Sequence, residues 1–156
     1  MPGCQQRGRR RGDPQFQQAR QLVVDGKYEQ AVAALQKYVK ENPGSENASR
    51  AGLFLFKAHF AVGEFPEAAE WCQWTIREHP TTLEAHKCRY KLAVLSLVQG
   101  DTQDAIERLE TLADDPDGPL AAEATVMRDF LRSVEIQPRK AQGPAEAVPQ
   151  DAAAPL

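Results

Sequence analysis

Apolar residues recur along the middle of this chain at spacings of three and four, the period of a helix with one buried side. Between Pro14 and Asp25, Phe16, Ala19, Leu22 and Val23 share a face; from Tyr28 to Glu41 the inward set is Ala31, Leu35, Tyr38 and Val39. Glycine and proline interrupt the pattern and mark where each helix stops. The spacing predicts five more helices: Glu46 to Val62, Pro66 to just before Pro80, Thr82 to Gln99, Thr102 to Asp114, and a last one from Pro119 to about 135. Thr81-Thr82-Leu83-Glu84 has the spacing of a capping box, and Asp101 is placed to cap the sixth helix. The last helix sets Leu120, Ala124, Met127, Leu131 and Val134 inward and turns Glu123, Arg128, Asp129 and Arg132 to water. That is the pattern of an end cap on a helical stack.

A longer period lies over the short one. Gly26, Gly63 and Gly100 are spaced 37 residues apart. Five residues after each comes an alanine (Ala31, Ala68, Ala105), and sixteen or seventeen after each comes a proline (Pro43, Pro80, Pro116). Self-similarity at this period predicts stacked helical hairpins whose neighbours bury a continuous core. The repeats run at about 14–44, 45–81 and 82–117, followed by the capping helix at 119–135, in one domain over 14–136. Residues 1–13 read as a disordered basic arm, and 137–156 as a disordered Pro/Ala-rich tail.

The glycine, aromatic and alanine of Gly26-Lys27-Tyr28-x-x-Ala31 and Gly63-Glu64-Phe65-x-x-Ala68 resemble the turn and second helix of tetratricopeptide repeats. Gly100-Asp101-Thr102-x-x-Ala105 keeps the frame without the aromatic. Ala19 and Ala93, each seven before its glycine, match the family's close-contact position, where the second repeat has Phe56 instead. The resemblance covers about residues 14–135. It implies an all-α superhelical array of three helix-turn-helix repeats plus a C-terminal capping helix, working as a non-catalytic protein-binding module. The junctions KENPGSENA and REHPTTLEA are also similar to the P-x-S/T-x-x-A junctions of bacterial envelope repeat proteins, those of β-barrel assembly and the Tol–Pal system among them. That likeness implies the alternative of a scaffold subunit in a cell-envelope assembly complex.

Charge sharpens the picture. The formal net charge is -3 over 156 residues. Arg7, Arg9, Arg10 and Arg11 against Asp13 give the first fourteen residues +3, the tail is neutral, and the repeat region therefore carries -6. An acidic repeat region argues against nucleic acid as its ligand. In the family's frame the first helix of each repeat lines the concave groove. The positions there are Phe16, Arg20 and Val23, then Arg50, Leu53, Phe54, Lys57 and Phe60, then Lys87, Tyr90, Lys91 and Val94. Arg20, Arg50, Lys57, Lys87, Tyr90 and Lys91 are the candidate partner-binding residues. Cations interleaved with rings and unaccompanied by carboxylates suit an acidic peptide or a C-terminal carboxylate. The asparagines of the chaperone-tail carboxylate clamp are missing from these helices. Phe54 and Phe60 are expected more in the core than in the groove. Trp71 and Trp74, at i and i+3, form a second candidate on the convex side; the competing reading buries them over a neighbouring helix.

The remaining chemistry is sparse. No phosphate-binding glycine loop, nucleophile elbow or H-E-x-x-H is present, and pairs such as Glu107 and Glu110 read as solvated surface; no enzyme and no cofactor are expected. His59, His79, His86 and Cys88 do not share metal-ligand spacing, and Cys72 falls at a core position. No apolar run is long enough to span a membrane. The basic start lacks an apolar stretch, which predicts a cytoplasmic protein. Gly3-Cys4 resembles a lipoprotein cleavage junction, and the alternative is a periplasmic or envelope-associated protein lipidated at Cys4.

Overall fold

A computed structural model gives the fold of residues 13–116 and 118–135. Cys4, most of the basic arm and the Pro/Ala-rich tail lie outside the described residues. Among the described residues seven helices follow in order: α1 (Pro14–Val24), α2 (Tyr28–Glu41), α3 (Glu46–Val62), α4 (Phe65–Glu78), α5 (Leu83–Val98), α6 (Thr102–Ala113) and α7 (Ala121–Glu135). Among the described residues there is no strand. The fold is an all-α array of helical hairpins, α1/α2, α3/α4 and α5/α6, with α7 packed on α6.

The three periodic glycines take φ of 72°, 84° and 85°, the left-handed region that an L side chain resists. Each therefore reverses the chain within a few residues and lays one helix of a hairpin back on the other. Asp13 caps α1 by accepting from Gln15 N at 3.1 Å. Its other carboxylate oxygen accepts from the Tyr38 hydroxyl at 2.8 Å, and that hydroxyl lies 3.2 Å from Ser45 Oγ, at the start of α3. Asp101 caps α6 as its position predicts, accepting from Asp104 N at 2.9 Å.

The core forms in successive layers. Phe16, Leu35, Tyr38, Ala51 and Leu55 make the first; Phe56, Ala68, Cys72, Cys88 and Leu92 the second; Ala93, Leu109, Leu112 and Ala124 the third. Ala31, Leu35, Tyr38 and Val39 are all buried, as the period of α2 requires. At Phe56 the close-contact position is filled by a ring, and the approach moves one turn back, to Gly52. A β-carbon built there would stand 2.0 Å from Thr75 Oγ1 and 3.2 Å from two ring carbons of Trp74. Glycine lets α4 press onto α3 at this point.

Three local expectations are corrected. α5 is capped by Thr82, which accepts from Ala85 N at 3.2 Å, so the Thr81–Glu84 box does not form; Glu84 is drawn to Arg50 instead. α7 starts at Ala121 rather than Pro119, because Gly118 N and Ala121 N bond back to Asp115 O and Gly118 O in turns. The outward side of α7 is also not wholly polar. Val126, Phe130 and Val134 recur at i, i+4 and i+8 and are 71%, 59% and 56% exposed, and Val134 faces water instead of the core.

Candidate functional site

Helices α1, α3 and α5 pack on one another in sequence, whereas α2, α4 and α6 do so little or not at all. A two-layer array in which one layer is the tighter curves toward that layer. The odd-numbered helices therefore form the inner face and the even-numbered ones the outer.

On the inner face Lys57 is the centre of a cation cluster. Its Nζ lies 4.9 Å from the Phe54 ring centroid. Although the residue as a whole reaches water, the ammonium is desolvated by what surrounds it. Burial first, then the neighbouring Lys91 and Lys87, hold its pKa below the ordinary lysine range. Among the described residues no carboxylate stands within 4.0 Å of Lys57, Lys87 or Lys91. The structure thus brings the three lysines of α3 and α5 near enough to feel one another's charge.

Arg50 differs from them. Its Nε is 3.6 Å from Glu84 Oε1 and its Nη2 is 3.3 Å from Glu46 Oε1. The inner face therefore does hold a carboxylate, because the register of α5 against α3 brings Glu84 opposite Arg50. Arg20 is exposed on α1 and makes no ion pair among the described residues. Phe16 and Leu53 are 1% and 8% exposed and belong to the core, not to the groove wall. Phe54 and Phe60 are half-buried: Phe54 meets Phe16 edge-on at 6.0 Å, and Phe60 stacks on Phe56 at 5.5 Å.

Tyr90 is half-buried and turns toward α7. With Ala122, Glu123, Val126, Met127 and Phe130 it lines an open apolar cleft of about 690 Å³. α7 packs on α6 but hardly on α5, which leaves this cleft at the end of the inner face. The exposed stripe of α7 was the part of the surface that sequence reasoning missed. Its signal was present, since Val126 and Phe130 stand off the buried stripe at a spacing of four.

On the outer face the tryptophans are neither fully buried nor fully exposed. Trp71 and Trp74 are half-buried against the first core layer, edge to face at 5.6 Å. They also wall a cleft of about 450 Å³ between α2 and α4, together with Gln36, Glu67, Glu70 and Arg77. His59 of α3, 6% exposed, contributes to its lining from beneath. His59 Nδ1 lies 2.7 Å from Glu64 Oε2, and Nε2 has no partner among the described residues.

Cys72 and Cys88 are both fully buried between α4 and α5. The neighbouring Cys88 thiol, and burial, push the Cys72 thiol far above the usual range. Among the described residues no three His, Cys, Asp or Glu side chains could hold a metal ion, and no helix is long and apolar enough to cross a membrane.

Residues 4–125 match a family model described as a tetratricopeptide repeat-like domain. No curated protein matches the chain.

Proposed function

The chain belongs to the tetratricopeptide repeat-like family of protein-interaction modules, which is generally non-catalytic, and from that premise we propose that it captures an acidic, partly apolar segment of another protein on its inner face. The observation that carries this reading is the cluster of Lys57, Lys87 and Lys91 with no carboxylate in ion-pair range among the described residues. Like charges brought together at a desolvated surface repel one another, and an acidic ligand relieves that repulsion as it binds. Arg50 plays a lesser part, since Glu84 already meets its charge. Arg20 extends the positive wall along α1. Tyr90, Val126, Met127 and Phe130 supply the apolar end, where flanking side chains of the ligand lose their water.

The test is affinity capture with crosslinking from the native cell, using wild type beside Lys57→Glu/Lys87→Glu/Lys91→Glu. A partner crosslinked to α3, α5 or α7 and lost in the variant, at unchanged melting temperature, is the expected result. A partner retained by the variant overturns the assignment. The cytoplasm is the proposed compartment; a lipid adduct on Cys4, read from the intact mass of the native protein, would make the envelope scaffold the better reading.

A further inference from the structure

The cleft between α2 and α4 is separate from the lysine face and has the opposite chemistry. Its walls are the indoles of Trp71 and Trp74, and its charged rim includes Glu67 and Glu70, neither of which makes an ion pair among the described residues. The one cation on the rim, Arg77, is met by Glu78, with Nε to Oε1 at 2.9 Å. Below lies His59, more than nine-tenths buried, whose Nε2 is closed to solvent and has no hydrogen-bond partner among the described residues. When this imidazole is neutral with its proton on Nδ1, it donates to the Glu64 carboxylate, and Nε2 is left as a bare acceptor. Acceptors and aromatic faces therefore converge, and no donor meets the acceptor beneath.

We propose that this outer cleft is a second binding site, one that takes an arginine side chain from a basic segment of a partner protein. A guanidinium has no acceptors and five N–H donors, so it can serve the Glu67 and Glu70 carboxylates at once while its plane lies on an indole. Its planar cation also stacks on indole, which a compact ammonium does less well. The site is independent of the inner face, and the two would together let the module hold acidic and basic segments at once.

The two tryptophans of the chain are Trp71 and Trp74, so fluorescence excited where tyrosine does not absorb reads this cleft alone. The probe is a tetra-arginine peptide titrated into the full chain, with tetra-lysine and tetra-glutamate beside it. Saturable change with tetra-arginine, weaker with tetra-lysine and absent with tetra-glutamate, is expected. Glu67→Gln/Glu70→Gln, both surface positions, should weaken arginine binding by about tenfold or more. Glu29→Gln/Glu107→Gln removes the same charge elsewhere and should change it little. Lys87→Glu/Lys91→Glu should leave the tryptophan response in place even if capture on the inner face is lost. Equal weakening by the two glutamine pairs would reduce the effect to net charge and overturn the site. Tighter peptide binding after Arg7, Arg9, Arg10 and Arg11 are all changed to Gln would make this chain's own arm the occupant and overturn the partner.

Discussion

Gly52 and Thr75 approach so closely that a methyl group on the former would stand 2.0 Å from the hydroxyl oxygen of the latter. Thr75 is buried, and its hydroxyl donates to Trp71 O at 2.9 Å, so it cannot turn aside without losing that bond. Gly52→Ala is expected to force α3 and α4 apart at a cost of about 1–3 kcal/mol, despite alanine's better helix propensity. Urea unfolding followed by circular dichroism measures it; an unchanged or raised midpoint would contradict the contact. The displaced Trp74 should also shift the fluorescence maximum.

Lys57 makes stability depend on pH in a definite direction. Its folded pKa lies below its unfolded value, so the folded state releases this proton first as pH rises. Between the two values the unfolded chain binds more protons, and stability rises with pH. Near neutral pH the charged lysine opposes folding through repulsion from Lys91 and Lys87. Lys57→Met keeps a long side chain over Phe54 and removes the charge. Wild type should gain on this variant as the pH rises toward 10.5, the ordinary lysine value, and should gain on it again when salt is added. Parallel curves for the two proteins would refute the cluster.

The exposed stripe of α7 and the third core layer should respond differently to truncation. Phe130→Ser removes a ring that is 59% exposed and should change stability by no more than about 0.5 kcal/mol. Leu109→Ala empties a site that is 1% exposed and should cost about 2–5 kcal/mol. On the reading of the inner face given above, Phe130→Ser loses affinity for the acidic partner while its melting temperature stays put. A large loss of stability at Phe130 would mean that the ring belongs to the core.

Cys72 and Cys88 should be inert in the folded protein, because both are buried and the Cys72 thiol is held far above its ordinary pKa. Native labelling with an aromatic disulfide at pH 8, followed by peptide mass analysis, should leave both unmodified; unfolding should expose them together. Labelling of either one faster than global unfolding would contradict the packing.

Most of the fold was legible because its determinants are local. Gly26, Gly63 and Gly100 need the left-handed region wherever the chain goes next, and proline cannot continue a helix, so turns and ends could be read to within about two residues. The inward positions Ala31, Leu35, Tyr38 and Val39 follow from helical period alone. What escaped depends on how helices lie against one another. The register of α5 on α3 brings Glu84 to Arg50, and the packing of α4 on α5 sets Cys72 beside Cys88; no spacing along one helix contains either fact. The lack of close packing between α5 and α7 likewise turned Val126 and Phe130 from surface residues into one wall of a cleft. In the sequence His59 was only a histidine without metal-ligand spacing, and its burial beneath the outer cleft depends on how the helices pack. Its unpaired nitrogen became visible only once Glu64 was seen to occupy the other one.

The phenol of Tyr38 reaches the capping carboxylate of α1 and the hydroxyl that opens α3. Repeat arrays fray from their ends, each unit held only by its neighbour. Here one buried oxygen belongs to the entrances of two successive hairpins. If α1 peels away, Asp13 leaves with it and Tyr38 loses an acceptor, which loosens the start of the next hairpin. The first two repeats should therefore open as a single cooperative block, and amide exchange in α1 and in the first turn of α3 should slow down and speed up together.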